Sequence, residues 1–325
     1  MRIGITYDLR DYYIAQGYKE EEVAEFDRAD TIDSIENTLQ ELGHETDRIG
    51  MIKELAIRLA KGDRWDMVFN IAEGLKGFGR EAQIPALLDA YDIPYTFSDA
   101  LTLSLSLHKA MTKHVLRDKK IPTPDFYVVE NLSDIGKVEL PFPVFAKPVA
   151  EGTGKGVNPS SKIKNKNELN EVCKRLLHKY NQPVLVETYL PGREFTVGIL
   201  GTGEDAKAIG TMEVILLKDA EADVYSYQNK EECEKLVEYR LVQDEISKRA
   251  EDIALSSWKS LLGRDAGRVD LRVDSFGNPS FMEVNPLAGL HPNHSDLCII
   301  ATMVGMSYKD LINSILLSAL KRCHV

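Results

Sequence analysis

Two short segments near the C-terminal end carry side chains that could hold a metal ion. Gly267–Asp274 and Pro279–Pro286 each alternate apolar and polar residues, the period of a strand. Ser275, Phe276, Gly277 and Asn278 between them are turn chemistry, so an antiparallel hairpin is expected. With Asp274 set opposite Pro279, Asp270 falls opposite Glu283 and Arg268 opposite Asn285. Directly opposed side chains lie roughly 4.5–5.5 Å apart at Cβ, and opposed like charges repel. Two carboxylates so placed ask for a cation. Asp270, Glu283 and Asn285 make an all-oxygen set, which suits Mg2+ together with nucleotide phosphates. The same residues also fit a solvated sheet face on which Arg268 pairs with Asp270 or Glu283. The hairpin alone leaves both readings open.

Other segments add candidates. Lys147 ends an apolar run and is followed by Glu151, Gly152, Thr153, Gly154, Lys155 and Gly156, a loop whose backbone N–H groups and lysines could meet phosphate oxygens. It is not a Walker A loop, because G-x-x-x-x-G-K-[ST] does not fit. Pro183–Glu187 reads as a buried strand ending on a carboxylate. The linker from Thr188 to Gly192 suits an adenine, whose edge is read by backbone groups and whose ring is sandwiched by apolar side chains. Glu194, opening the next strand, is placed to accept from a ribose. Judged alone, that segment fits a plain strand–turn–strand connection better.

These residues must be positioned by a frame. Strand, helix and strand alternate over the first hundred residues: a strand at Arg2–Thr6, helices near Asp27–Leu42 and Lys53–Lys61, a strand at Asp66–Asn70 and a helix near Arg80–Tyr91. This alternation predicts a parallel sheet with helices on its faces. One helix is expected over Thr102–Lys119. Strands follow at Phe126–Val129, Val144–Lys147, Val184–Glu187 and Glu194–Leu200, with a helix near Lys166–Tyr180. Then come a strand at Ala206–Leu217, an irregular stretch to Leu236, a helix near Asp244–Leu262, the hairpin and two final helices. The 325 residues allow two or three subdomains. A net charge of −11 argues against nucleic acid or an anionic membrane as the main partner. The four cysteines are far apart, which suits a reducing cytosol. The start of the chain reads as a strand, not a signal peptide, and the longest apolar run, near Leu297–Met306, is too short to span a membrane. A cytoplasmic protein is therefore expected.

Taken in order, Lys109, the Lys147 strand and its Gly loop, the Glu187 linker, Arg193–Val197, Lys230, Arg268 with Asp270, and Glu283 with Asn285 and Gly289 resemble the ATP-grasp superfamily. The resemblance is closest to the D-alanine–D-alanine ligases, and it extends to Phe69 with Asn70, Ile93–Thr96 and Pro122–Pro124. It implies an α/β fold, α+β in its ATP-binding part, with three subdomains. These are an N-terminal parallel sheet with helices on both faces (1–98), a central unit (99–190) and a C-terminal unit (191–325), the last two enclosing ATP. Lys109 and Lys147 would hold phosphates, with Glu151 and Thr153 in the Gly loop. Glu187, Tyr189 and Leu190 would hold adenine, and Glu194 the ribose. Asp270, Glu283 and Asn285 would bind Mg2+, two ions in all, with Mn2+ as a substitute. The implied chemistry is ATP-dependent ligation: a carboxylate takes the γ-phosphoryl group and an amine then displaces phosphate. Arg268 and the Gly289 N–H are the natural oxyanion donors. Tyr225–Glu231 would be a lid that brings Lys230 onto the γ-phosphate. The resemblance also makes a homodimer through the N-terminal unit an option.

Departures from the family cluster around the substrate. Its Gly-rich N-terminal turn and amine-gripping Glu are absent, leaving Glu25 or Asp27 as the anchor. Glu73 with Gly74 replaces a His-Gly pair. Thr153 replaces a Ser, and Glu231 replaces an aromatic residue after the lid lysine. The segment from Leu290 to Ser295 is one residue longer and carries His291 and His294. At least one of these histidines, His294 in particular, is expected in the acceptor pocket, and Ser295 at a helix N-terminus. Glu73, Glu231 and one of Glu25 and Asp27 would make the pocket acidic and favour amino groups. Three readings follow: a ligase of the D-alanine–D-alanine type, a ligase for another amino-acid pair in natural-product or cell-wall metabolism, and a non-catalytic ATP-binding regulator. For either ligase the partners would be amino acids or small peptides.

Overall fold

The computed structural model describes residues 1–221, 224–226, 228–229 and 232–323. Its N-terminal layer is a parallel sheet of β1 (Arg2–Thr6), β2 (Glu45–Gly50) and β3 (Met67–Asn70) in the order β2-β1-β3. Successive residues of β3 point to opposite faces, so Met67 and Phe69 enter one core and Val68 another. The first core is closed by α2 (Ala29–Glu41) through Ile32, Ile35 and Leu39. The second is closed by α3 (Ile52–Ala60) and α4 (Gln83–Ala90) through Leu55, Leu59, Ile84 and Leu88. Helices thus cover both faces, as the strand–helix alternation predicts. A short α1 (Arg10–Ala15) and β2 are additions to the sequence reading. Ile49 alone among the residues of β2 is buried, so the strand has no alternating pattern to betray it.

Two antiparallel sheets build the rest. One contains β4 (Phe126–Val129), β5 (Val144–Pro148), β6 (Lys162–Ile163) and β7 (Val184–Thr188) in the order β4-β7-β5-β6, backed by α7 (Lys166–Tyr180). The other contains β8 (Glu194–Leu200), β9 (Lys207–Leu216), β10 (Val237–Val242), β11 (Ala266–Val273) and β12 (Pro279–Asn285) in the order β10-β9-β8-β11-β12. A four-residue helix, α8 (Cys233–Leu236), precedes β10, and α9 (Glu245–Ser260) backs this sheet through Ala250, Ala254 and Trp258. The final helices, α10 (Asp296–Met303) and α11 (Tyr308–Cys323), do not stay with that sheet alone. Leu297, Ile312 and Leu316 join Ile3 and Ile35 in one hydrophobic cluster, which ties the C-terminal end to the N-terminal layer. Among the described residues no helix is long and apolar enough to cross a membrane.

Two local departures from the sequence reading position the site. The single helix expected over Thr102–Lys119 is broken at His108 into α5 (Ala100–Leu107) and α6 (Lys109–Asp118). At the break the Lys109 N–H donates to the Val149 carbonyl at 3.0 Å, which sets Lys109 over the end of β5. In the hairpin, Pro279 pairs with Val273 rather than with Asp274, one residue off the expected turn. A bulge between Leu271 and Asp270 makes up the difference: Leu271 faces Phe281, yet Asp270 faces Glu283 and Arg268 faces Asn285 as expected.

Candidate active site

The two antiparallel sheets face each other across a cleft whose charged floor comes from β5, β7 and α6. Glu187, at the end of β7, is 0% exposed, as is Lys113 on α6. Lys113 lies 3.0 Å from the Glu187 carboxylate and Lys147 lies 3.2 Å from it. Burial alone would raise the Glu187 carboxyl, but the two lysines outweigh it and hold it below the usual carboxylate range. Burial pushes Lys113 down to about 8 despite Glu187. Lys113 also donates to Thr123 Oγ1 at 2.8 Å and to the Phe281 carbonyl at 3.3 Å. The Glu187 side chain is therefore a buried prop for Lys147. This corrects the expectation that it faces adenine, and only the backbone of residue 187 is left for that contact.

Lys109 and Lys147 converge from different elements on Glu283, at 3.6 and 3.7 Å. The ammonium of Lys109 also donates to the Glu151 carbonyl at 2.5 Å. Asp270 accepts from Thr196 Oγ1 at 3.0 Å and from Asn285 Nδ2 at 3.3 Å. Arg268 reaches both Asp270 oxygens, at 2.8 and 2.5 Å, and lies 3.4 Å from Asp296. The ion pair left open by the hairpin sequence is thus present. Burial works against the Arg268 charge, but Asp270 and Asp296 raise its pKa well above the ordinary guanidinium range. Further along the cleft, Arg272 lies 3.5 Å from Glu194 and 5.1 Å from the Tyr189 ring centroid, with the Lys162 ammonium 4.4 Å from the same ring. Phe145, Leu190 and Met282 supply apolar lining here.

The Gly loop is held from the N-terminal layer. Glu25 accepts from the Gly152 N–H at 2.6 Å, from Arg80 at 3.0 Å and from Lys155 at 3.0 Å. Burial would raise this carboxyl, but Arg80 and Lys155 outweigh it and hold it at about 2. Arg80 also donates to the Ala150 carbonyl at 3.0 Å, and Lys155 pairs with Glu151 at 2.6 Å. A Cβ at 152 would sit 2.2 Å from Glu25 Oε1, so a side chain there would push that carboxylate off the loop. Thr153 (φ 49°) and Gly154 (φ 69°) turn the loop through the left-handed region. Glu25 is therefore fully engaged with the loop, and it is not the free amine anchor that the sequence allowed.

A second pocket opens between the N-terminal helices and Arg268. Asp27, Glu73, Glu81, Gly289, His294 and Ser295 line it. Ser295 stands at the N-terminus of α10 as expected, but its Oγ accepts from the His291 N–H at 2.9 Å rather than capping the helix. His291 lies 3.3 Å from Asp30, and His294 Nδ1 lies 3.8 Å from Cys233 Sγ. A Cβ on Gly289 would sit 2.8 Å from Ser295 Oγ, so a side chain there would crowd Ser295. Lys230 and Glu231 lie outside the described residues.

Lys113, Arg80 and Glu81 escaped the sequence reading. Lys113 follows Lys109 by four residues and so shares its helix face. A carboxylate ending a wholly apolar strand also demands a buried cation. Arg80 and Glu81 carry no comparable signal.

Comparison with known proteins bears on the family and the fold. The family model described as the D-ala D-ala ligase C-terminus matches residues 115–317. The D-alanine–D-alanine ligase of Aquifex aeolicus is 34% identical over 285 residues, 87% of this chain and 92% of that protein. An uncharacterized protein of Sinorhizobium fredii, y4sG, is 33% identical over 297 residues, 87% of this chain and 85% of its own. The solved structure of Bacillus anthracis D-alanine–D-alanine ligase complexed with ATP matches with a TM-score of 0.76 at 22% identity. It covers 100% of this chain and 99% of that one. The VanG D-Ala:D-Ser ligase of Enterococcus faecalis matches with a TM-score of 0.75 at 17% identity, covering 98% and 99% of the two chains. At these identities the structural likenesses speak for the fold.

Proposed function

Because this chain belongs to the D-alanine–D-alanine ligase family and is an ATP-dependent ligase forming a C–N bond, we propose how its own residues divide that reaction. The family is ATP-dependent and typically requires Mg2+. The backbone of the linker after Glu187, with Tyr189 and Leu190, holds adenine, and Glu194 holds the ribose. Lys109 and Lys147 hold phosphate oxygens beneath the loop of Glu151 and Thr153. The chain divides into an N-terminal unit (1–98), a central unit (99–190) and a C-terminal unit (191–325).

Among the described residues no three of His, Cys, Asp and Glu gather as a metal cage. Two carboxylates and one amide do meet, because Asp270 and Glu283 are opposed and Asn285 reaches Asp270. That oxygen set fits Mg2+, which takes few protein ligands and fills its remaining positions with phosphate and water. Asp270, Glu283 and Asn285 would hold it, two ions being the expectation, and the bound metal would supply neutralisation of phosphate charge.

In the first step an oxygen of the substrate carboxylate attacks the γ-phosphorus. ADP leaves and an acyl phosphate forms. In the second step the amine nitrogen attacks the acyl carbon and inorganic phosphate leaves. Arg268 and the Gly289 N–H donate to the oxyanion between these events. Lys230 serves the γ-phosphate from the lid. The convergence of Lys109 and Lys147 on Glu283, across from Asp270, carries this reading.

The test is ADP formation from ATP and Mg2+ with pooled D- and L-amino acids, with a mass-spectrometric search for dipeptides or amides. Amino-acid-dependent ADP and a ligated product are expected. Nucleotide binding without turnover would favour a regulatory protein. The carboxyls of Asp27, Glu73 and Glu81 favour an amino-acid pair other than two alanines.

A further inference from the structure

The acids that line the amino-acid pocket fall into two sets. Glu25 is held by Arg80 and Lys155, Glu283 by Lys109 and Lys147, and Asp296 by Arg268. Asp27, Glu73 and Glu81 line the same pocket, and none of their side chains has an ion pair or a hydrogen bond among the described residues. Glu81 is the telling member: it is 8% exposed, lines the pocket and has no partner among the described residues. A buried carboxylate without a partner is unfavourable unless something completes it. Burial, with the neighbouring acids, pushes Asp27 up to about 8 and Glu73 well above the ordinary range; burial, against the pull of Arg80, pushes Glu81 up to about 7. Arg80 acts on both Glu73 and Glu81, and Lys109 and Lys155 act on Glu81, but each is held elsewhere: Arg80 by Glu25 and the Ala150 carbonyl, Lys109 by Glu283 and the Glu151 carbonyl, and Lys155 by Glu25 and Glu151. Arg28 lines the pocket from an exposed position, and Arg10 lines it while paired with Glu20 at 2.6 Å.

One α-ammonium needs one carboxylate, so this wall is too acidic for a neutral amino acid. The three carboxyls do not converge as a metal site would require. They line a pocket that Arg28, Arg268 and Gly289 also line. We infer that the amino acid bound here carries two cationic groups, an α-ammonium and a side-chain ammonium or guanidinium, held by Glu73 and Glu81 together with Asp27. This rests on the ligase reading, and it names the substrate class of that same pocket. Glu25 drops out of the acidic set expected from sequence, and Glu81 enters it.

The test measures ATP- and Mg2+-dependent ADP formation by the full chain with single amino acids and with pairs, in both chiralities. Lysine and ornithine are compared with norleucine and alanine, since norleucine matches lysine in length without its side-chain charge. The expected result is a kcat/KM for the basic amino acids at least about 10-fold above norleucine, the worth of one charge-assisted hydrogen bond. In Glu81→Gln and Glu73→Gln the basic-to-neutral ratio should fall by about 10–100-fold. Equal or better activity with norleucine or alanine would overturn the inference and leave the ligase reading intact. An unmoved ratio in both variants would do the same. ADP formation with no amino acid at all would overturn both. The wild-type panel decides the matter even where one variant fails to fold.

Discussion

In the nucleotide half of the molecule every named carboxylate meets a cation: Glu187 meets Lys113 and Lys147, and Glu283 meets Lys109 and Lys147. In the amino-acid half, which shares Lys109 with it, the side chains of Asp27, Glu73 and Glu81 form no ion pair with a cation among the described residues. Both regions are acidic and poorly exposed, so burial does not separate them. What separates them is whether the charge was settled on folding or left for a ligand. Polyphosphate brings its own negative charge, so its cradle must be cationic and internally braced. The other pocket keeps uncompensated acids, which cost stability until a cation arrives.

Breaking the bracing should produce the largest effects. Glu187→Gln leaves two buried lysines without their carboxylate, and chemical denaturation should show a loss of about 3–5 kcal/mol. A loss below about 1 kcal/mol would mean that the pair behaves like a surface ion pair. Lys147→Ala should cut ADP formation by about 100- to 1,000-fold, as for removal of one preorganised charge at a transition state. An unaltered rate would remove Lys147 from the phosphate site. Glu25→Gln should destabilise the protein by roughly 3 kcal/mol, from the drop in its pKa to about 2. The Glu25 carboxyl is depressed on folding, so its stabilisation is complete above the ordinary carboxylate range and fades as pH falls through about 2. The acid limb of a stability–pH curve should therefore flatten in the variant.

The smallest effect has the opposite sign and tests the contrast most directly. The Asp27 carboxyl is raised to about 8, so folding favours its protonated form. Wild-type stability should decline as pH rises from the ordinary carboxylate range through about 8. Asp27→Asn should remove that slope and add on the order of 1–2 kcal/mol at pH 9. A variant destabilised at pH 9 would show that Asp27 has been compensated within the fold, and the two halves would then be alike.

Much of the nucleotide half was legible because strand alternation ties side chains to faces. Asp270, Glu283 and Asn285 met as expected even though the turn was misplaced by one residue. Lys109 was legible as a residue, but the helix break at His108 that aims it was not. At that break the Val149 carbonyl, forty residues away, takes the Lys109 N–H, while the His108 ring accepts locally from the Met111 N–H. β10 was missed although Val237, Tyr239 and Leu241 alternate with Glu238 and Arg240, whereas β2, in which Ile49 alone is buried, offers no such pattern. In the amino-acid half, Glu25 and Asp27 were equivalent by spacing. Only the position of Gly152, Arg80 and Lys155 around Glu25 distinguishes them. Long-range placement, which composition and periodicity do not record, decided between them.

The bulge in β12 has a consequence for how closely two tasks can be packed. In a regular strand, neighbouring residues look to opposite sides, and Met282 would be turned away from the cleft that Glu283 serves. The extra residue puts both on the same side, and both line the nucleotide cleft. A greasy contact surface and a metal-directed oxygen are thereby supplied by adjacent positions of one chain. Deleting Met282 would restore a regular ladder and keep Asp270 facing a glutamate, while stripping that surface from beside it.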